Sequence, residues 1–167
     1  LLNSPHGTFS IAVDQDTQEM YMTVQHDNAI VIYRKLAQGK EKPLREIAGD
    51  DTQLEDPHGI ALDMKRRLII VANHGNVSYR GKQGDQTAET SIGGNTRYKP
   101  GSGEFHPPSI TIYSMDQVGN VKPLRIIEGL KTQLNWPAQI AVDEERGDLY
   151  VANDMNHAIT VFKVTDD

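Results

Sequence analysis

The chain carries six histidines and no cysteine. Two of the histidines sit in matching phrases, Pro5-His6-Gly7 and Pro57-His58-Gly59. Neutral imidazole is the commonest metal ligand, so His6, His58 and the later His74 form a candidate zinc set. Thiolate metal sites, disulfides and cysteine nucleophiles are excluded. A second group is Asp14, Asp63 and Asp143, each closing an apolar run just before a polar turn. Carboxylates gathered about an axis would suit calcium. Their recurrence before a turn is better explained by side-chain bonds to turn amides. Asn73 and Asn153 end other apolar runs, where they could bond loop backbone or touch a ligand. A third group lies in the glycine-rich stretch 76–108, which holds Tyr79, Arg80, Arg97, Tyr98 and His106. A basic, aromatic loop on an acidic body could recognise an acidic or carbohydrate ligand, or a partner protein. The plainer alternative is a long surface loop packed over its neighbours or partly disordered. Within it, Asn76-Val77-Ser78 has the pattern of a glycosylation sequon.

The elements that must position these groups are written as a repeat. Asp56-Pro57-His58-Gly59-Ile60-Ala61-Leu62-Asp63 returns as Trp136-Pro137-Ala138-Gln139-Ile140-Ala141-Val142-Asp143, with a looser copy from Ser4 to Asp14. Asp63 and Asp143 are 80 positions apart, as are Pro43 and Pro123, Arg45 and Arg125, and Asn73 and Asn153. Allowing for the extra residues of the second unit, the repeat recurs at about 40 to 50 residues, which marks a repeat architecture. Runs rich in Val, Ile, Tyr and Thr, separated by turns of Asp, Asn, Gly and Lys, predict strands. They cover 11–14, 19–24, 29–35 and 44–48 in the first unit, and 60–63, 67–72, 109–114 and 124–128 in the second. The third gives 140–143, 148–152 and 158–164, with no fourth. No apolar period of 3.6 residues is long enough for a helix. The fold class is therefore all-β. Four short antiparallel strands per unit describe a propeller blade. The units fall at about 5–49, 56–129 with the insertion 76–108, and 136–167, in a single segment of about three blades.

Among 167 residues, 37% are hydrophobic and the net charge is −6. The acidic balance argues against nucleic acid or an anionic membrane as the main partner. No apolar stretch has the length of a membrane-spanning helix. The chain opens Leu1-Leu2-Asn3 without Met or a signal peptide, which reads as a mature form or a piece of something longer.

Unit three runs Pro137, Ile140-Ala141-Val142-Asp143, Tyr150-Val151-Ala152-Asn153 and Asn156-His157-Ala158-Ile159-Thr160-Val161-Phe162. In this it resembles the NHL-repeat β-propellers, and unit two matches outside its insertion. Unit one departs by Thr8-Phe9-Ser10 and by Val24 where the others have Asn. The resemblance implies a ring of usually six blades, of which this chain supplies a half or a fragment. It implies that all six histidines lie on one face, around the mouth of a central channel. It also implies that another copy or a companion fragment covers the apolar blade faces left over. The chain is similar, too, to the peptidyl-hydroxyglycine lyases, where His of Pro-His-Gly phrases binds zinc. Only His6 and His58 match, and Gln139 stands where a third would fall.

The function expected from these residues is a non-catalytic binding or scaffold propeller module, exported from the cytoplasm. Its ligand, protein or carbohydrate, would meet the face carrying the 76–108 insertion, at His58, His74, Asn73, Asn153, Tyr79, Arg80, Arg97, Tyr98 and His106. No cofactor is expected, with zinc at His6, His58 and His74, or calcium at the aspartates, as the weaker alternatives. The other function carried forward is a lyase- or lactonase-like propeller enzyme with a divalent metal at the channel mouth.

Overall fold

The computed structural model describes residues 1–5, 7–77, 89–90, 97–98 and 104–167, with backbone alone at 76–77, 89–90, 97–98 and 104–105. Sheet one is a meander of β1 (Thr8–Asp14), β2 (Glu19–Val24), β3 (Ala29–Arg34) and β4 (Arg45–Ala48), in that order. Sheet two contains β5 (Pro57–Asp63) and β6 (Leu68–Asn73). Four two-residue strands follow, β7 (Asn76–Val77), β8 (Glu89–Thr90), β9 (Arg97–Tyr98) and β10 (Glu104–Phe105). Here β7 pairs with β10 and β8 with β9, so the insertion leaves and rejoins the sheet at one place. Sheet two is completed by β11 (Ser109–Ser114) and β12 (Arg125–Glu128). Sheet three holds β13 (Pro137–Asp143), β14 (Asp148–Asn153) and β15 (Ala158–Lys163). Among the described residues no helix is long and apolar enough to cross a membrane.

The innermost strands begin three residues earlier than their apolar runs suggest. Pro57, His58 and Gly59 lie ahead of the expected strand 60–63, yet they open β5, and the ladder shifts between Pro57 and Ile60. A bulge admits the Pro and Gly without ending the strand. Arg67, expected to start β6, instead takes a left-handed conformation (φ 56°) in the turn before it. Gln18 holds the same place in sheet one and Gly147 in sheet three, both also with positive φ. The turn geometry therefore repeats even where the residue does not.

Packing follows position along the arc. Tyr21, Ile30, Ile32 and Ile47 of sheet one meet Ile60, Ile69, Val71 and Tyr113 of sheet two in one core. Ile70, Ile110, Ile112 and Ile127 on the other side of sheet two meet Leu149 and Val151 of sheet three in a second. Hence β6 is buried at all six positions, whereas β14 alternates between buried and half-buried. A strand covered on both faces reads as a continuous apolar run, and one covered on a single face alternates. The innermost strands share this dependence. Ile60 is buried, but its counterpart Ile11 in sheet one is exposed, so these strands are packed on both faces only in the middle sheet.

Candidate functional site

The strand register gathers the loops that carry the site at one end of the sheets. Pro57 at the start of β5 and Ser109 at the start of β11 both lie opposite Asn73 at the end of β6. The opposite end carries Asp14, Asp63 and Asp143, paired with Glu19, Leu68 and Asp148.

At the first end, Asp56 stands in a left-handed conformation (φ 56°) directly before Pro57. Its N–H donates to Asn28 Oδ1 at 2.8 Å. Its carbonyl accepts from the His74 N–H at 3.2 Å and from the His58 ring at Nδ1, 2.9 Å away. A carbonyl can only accept, so His58 Nδ1 carries the proton and its Nε2 is the nitrogen left to accept or ligate. The Asp56 carboxylate lies 3.6 Å from His58 Nδ1 and 4.0 Å from His74 Nδ1. Burial raises the Asp56 pKa, against the opposing pull of His58, the Gln25 amide and His26. Burial, together with His58, pushes His74 down to about 4. His74 is thus a neutral imidazole at pH 7.

Among the described residues, Asp56 Oδ1 and His74 Nε2 are buried and have no hydrogen-bond partner. Leaving one such group unpaired costs about 1–3 kcal/mol, and Thr160 Oγ1 in β15 is a third buried atom of this kind.

The rings are stacked. Phe9 meets His58 edge-on at 3.8 Å, His58 lies on His74 at 3.4 Å and 14°, and His74 on Trp136 at 5.1 Å and 24°. Phe9 and Trp136 are each 47% exposed, one at either end of this row. Trp136 occupies the Asp56 position of sheet three and shares its left-handed backbone (φ 55°). For a bulky side chain that conformation is unfavourable and is seen where the surroundings enforce it.

Asp56, His58 and His74 each offer a ligand atom within 4.8 Å of the others. Two imidazoles and a carboxylate are a donor set suited to zinc. A bound ion, however, lies in the plane of each imidazole at about 2.0–2.1 Å. Nearly parallel rings 3.4 Å apart have no such shared point. Chelation by both therefore needs His74 to turn out of the stack.

The structure brings His58 and His74 together. Asn73, fully buried, accepts from the Glu55 N–H and donates to Ser109 and Thr111. Asn153, also buried, accepts from the Asn135 N–H at 2.6 Å and donates to the Gln133 carbonyl. Both amides hold the loops that enter β5 and β13. His106 donates from Nδ1 to Glu55 at 2.7 Å, beside the cluster. His6, Tyr79 and Arg80 lie outside the described residues. Arg97 and Tyr98 are described as backbone in β9. His157 is exposed in a left-handed turn position (φ 49°), matching Asn28 of sheet one. Asp56, Phe9 and Trp136 were not singled out from sequence. Asp56 had a legible sign, a carboxylate two residues before His58, while the aromatic row forms only when three sheets meet.

At the other end each aspartate bonds its own turn. Asp14 accepts from the amides of Asp16 and Thr17 and from the Thr17 hydroxyl. Asp63 accepts from the Arg66 amide and guanidinium, and Asp143 from the amides of Glu145 and Arg146. Arg45 grips Glu19 through two bonds, of 2.6 and 2.8 Å, at the outer rim.

No family model matches the chain, and no curated protein matches it in sequence. Among solved structures it is similar to the crystal structure of a candidate 6-phosphogluconolactonase from Bacteroides fragilis. The two superpose with a TM-score of 0.57 at 14% identity, over 94% of this chain and 35% of that one. The chain thus spans about a third of the length of that protein. The three sheets are β-propeller blades. At this identity the likeness establishes the fold and leaves the chemistry to the site.

Proposed function

We propose that the protein is a binding module of the NHL-repeat propeller kind, exported, whose ligand sits at Asp56 and His74 between Phe9 and Trp136. The observation that carries this reading is the pair of buried, unpaired atoms Asp56 Oδ1 and His74 Nε2, set beside exposed aromatic rings. A neutral sugar meets both features. A hydroxyl can donate to the neutral His74 nitrogen, and the C–H face of the ring can lie on Trp136. A strongly anionic ligand fits less well beside Asp56 and Glu55. The insertion 76–108 leaves and rejoins the sheet beside His74, and it supplies the remainder of the contact in this reading.

Calorimetric titration with D-glucose, D-galactose and D-glucono-1,5-lactone tests the proposal. Saturable binding that is lost in His74→Ala, with the melting curve preserved, is expected. Absence of binding to all three would contradict the carbohydrate reading.

A second reading is a lactonase-like enzyme. It draws on the likeness to the candidate 6-phosphogluconolactonase and on the metal-capable donor set. Hydrolysis of the lactone, lost in His74→Ala, or stoichiometric zinc lost in His58→Ala, would favour it over the binding module.

A further inference from the structure

Blades one and two each bury an apolar face against the blade that follows. Strand pairing identifies the same face in blade three. Ile159 lies opposite Ala152 as Ile110 lies opposite Ala72, and Val161 opposite Tyr150 as Ile112 opposite Ile70. Ile110 and Ile112 are 0% exposed, whereas Ile159 and Val161 are 64% and 55% exposed. Blade three has three strands among the described residues, none of which pairs with the outer edge of β15.

The first residues of the chain show what fits there. In blade two, Gly119 of the β11–β12 loop donates to the Glu46 carbonyl and accepts from the Ala48 N–H, gripping the outer edge of β4. In blade one, Gly39 of the β3–β4 loop donates to the Leu1 carbonyl and accepts from the Asn3 N–H. The parallel bridges Ile47–Gly119 and Leu2–Gly39 record the same arrangement. Leu1–Asn3 therefore occupies, against blade one, the place that β4 occupies against blade two. Backbone groups alternate sides along a strand. The N–H and C=O of Ile47 consequently face β3, where Ile47 pairs with Ile30. Those of Leu2 make no backbone hydrogen bond among the described residues.

We propose that a second copy of this chain docks on the Ile159–Val161 face and lays its Leu1–Asn3 segment beside β15 as the fourth strand of blade three. The register is that of blades one and two, with Leu2 opposite Ile159. The back of the incoming blade one presents Ile11, 55% exposed at the position where Ile60 of blade two is 5% exposed and covered. One chain thus carries both halves of the contact, and the blade-to-blade packing within it is the template. The contact is head-to-tail, and two copies close it by a two-fold rotation into six blades. This inference does not depend on the ligand reading.

Sedimentation of the 167-residue chain at micromolar concentration should give a dimer. Ile159→Asp, at a position exposed in the single chain, should give a monomer with unchanged circular dichroism. The chain has no cysteine, so the register can be tested directly. Mixing a Leu2→Cys chain with an Ile159→Cys chain under mild oxidation should yield a disulfide-linked pair, since opposed residues lie within bridging distance. A monomeric wild type, a dimer that survives Ile159→Asp, an open larger assembly, or a dimer without the 2–159 link would each overturn the proposal.

Discussion

His74 is held neutral by burial, and this sets how stability depends on pH. Its folded pKa, about 4, lies below the ordinary histidine value of 6.5. The unfolded chain therefore binds the extra proton first as pH falls. The sign is destabilising in acid: stability is full above about pH 6.5 and falls progressively towards about pH 4. Urea midpoints measured across that window should drop for the wild type, and His74→Phe should flatten the drop. Asp63 offers a second prediction. It is fully buried and bonds both the amide and the guanidinium of Arg66, whereas Asp143 is partly exposed. Asp63→Ala should lower stability by about 1–3 kcal/mol and by more than Asp143→Ala, because its bonds to Arg66 end on a fully buried carboxylate, whereas those of Asp143 are exposed. Asp63→Asn should be milder than Asp63→Ala, since an amide oxygen still accepts. Added calcium should leave the melts of wild type and variants alike, because turn donors already engage these oxygens. The turn role of these aspartates was legible from their recurrence. Recurrence gave no such sign for Asp56, because its position is filled by Trp136 in the third unit and Ser4 in the first.

At the scale of elements, the fixed 80-residue register between units two and three made the strands readable. What it hid was the start of each innermost strand, three residues ahead of its apolar run, with Pro57 and Gly59 opening β5. Gly59 shows why that start matters. A Cβ there would come within 2.7 Å of the Ala138 carbonyl oxygen and 2.9 Å of Gln139 Cα, both on the neighbouring innermost strand. Gly59→Ala should push β5 and β13 apart and destabilise by about 1–3 kcal/mol in urea unfolding, a typical overpacking effect. The insertion should behave in the opposite way. Because β7 and β10 already pair at its base, replacing residues 78–103 with a short glycine turn should leave the melting temperature within a few degrees of wild type. A collapse of folding would instead make the loop structural and withdraw it from the binding surface.

For the whole molecule, burial tracks the place of each blade in the arc. The middle blade is covered on both sides, and the outer blades expose Ile11 at one end and Ile159 and Val161 at the other. Periodicity alone cannot reveal this difference, because equivalent strands carry equivalent residues whichever neighbours they have. The aromatic row from Phe9 to Trp136 has the same origin, since blade one supplies Phe9, blade two the histidines and blade three Trp136. In the proposed reading, ligand recognition therefore belongs to the packed arc rather than to any one repeat. The most direct test is a crystal structure of the protein soaked in the neutral sugar that binds most tightly in calorimetry. The account predicts a hydroxyl within hydrogen-bond distance of His74 Nε2 and the sugar ring against Trp136. A sugar seated elsewhere, or His74 Nε2 and Asp56 Oδ1 capped by the chain's own side chains, would contradict it.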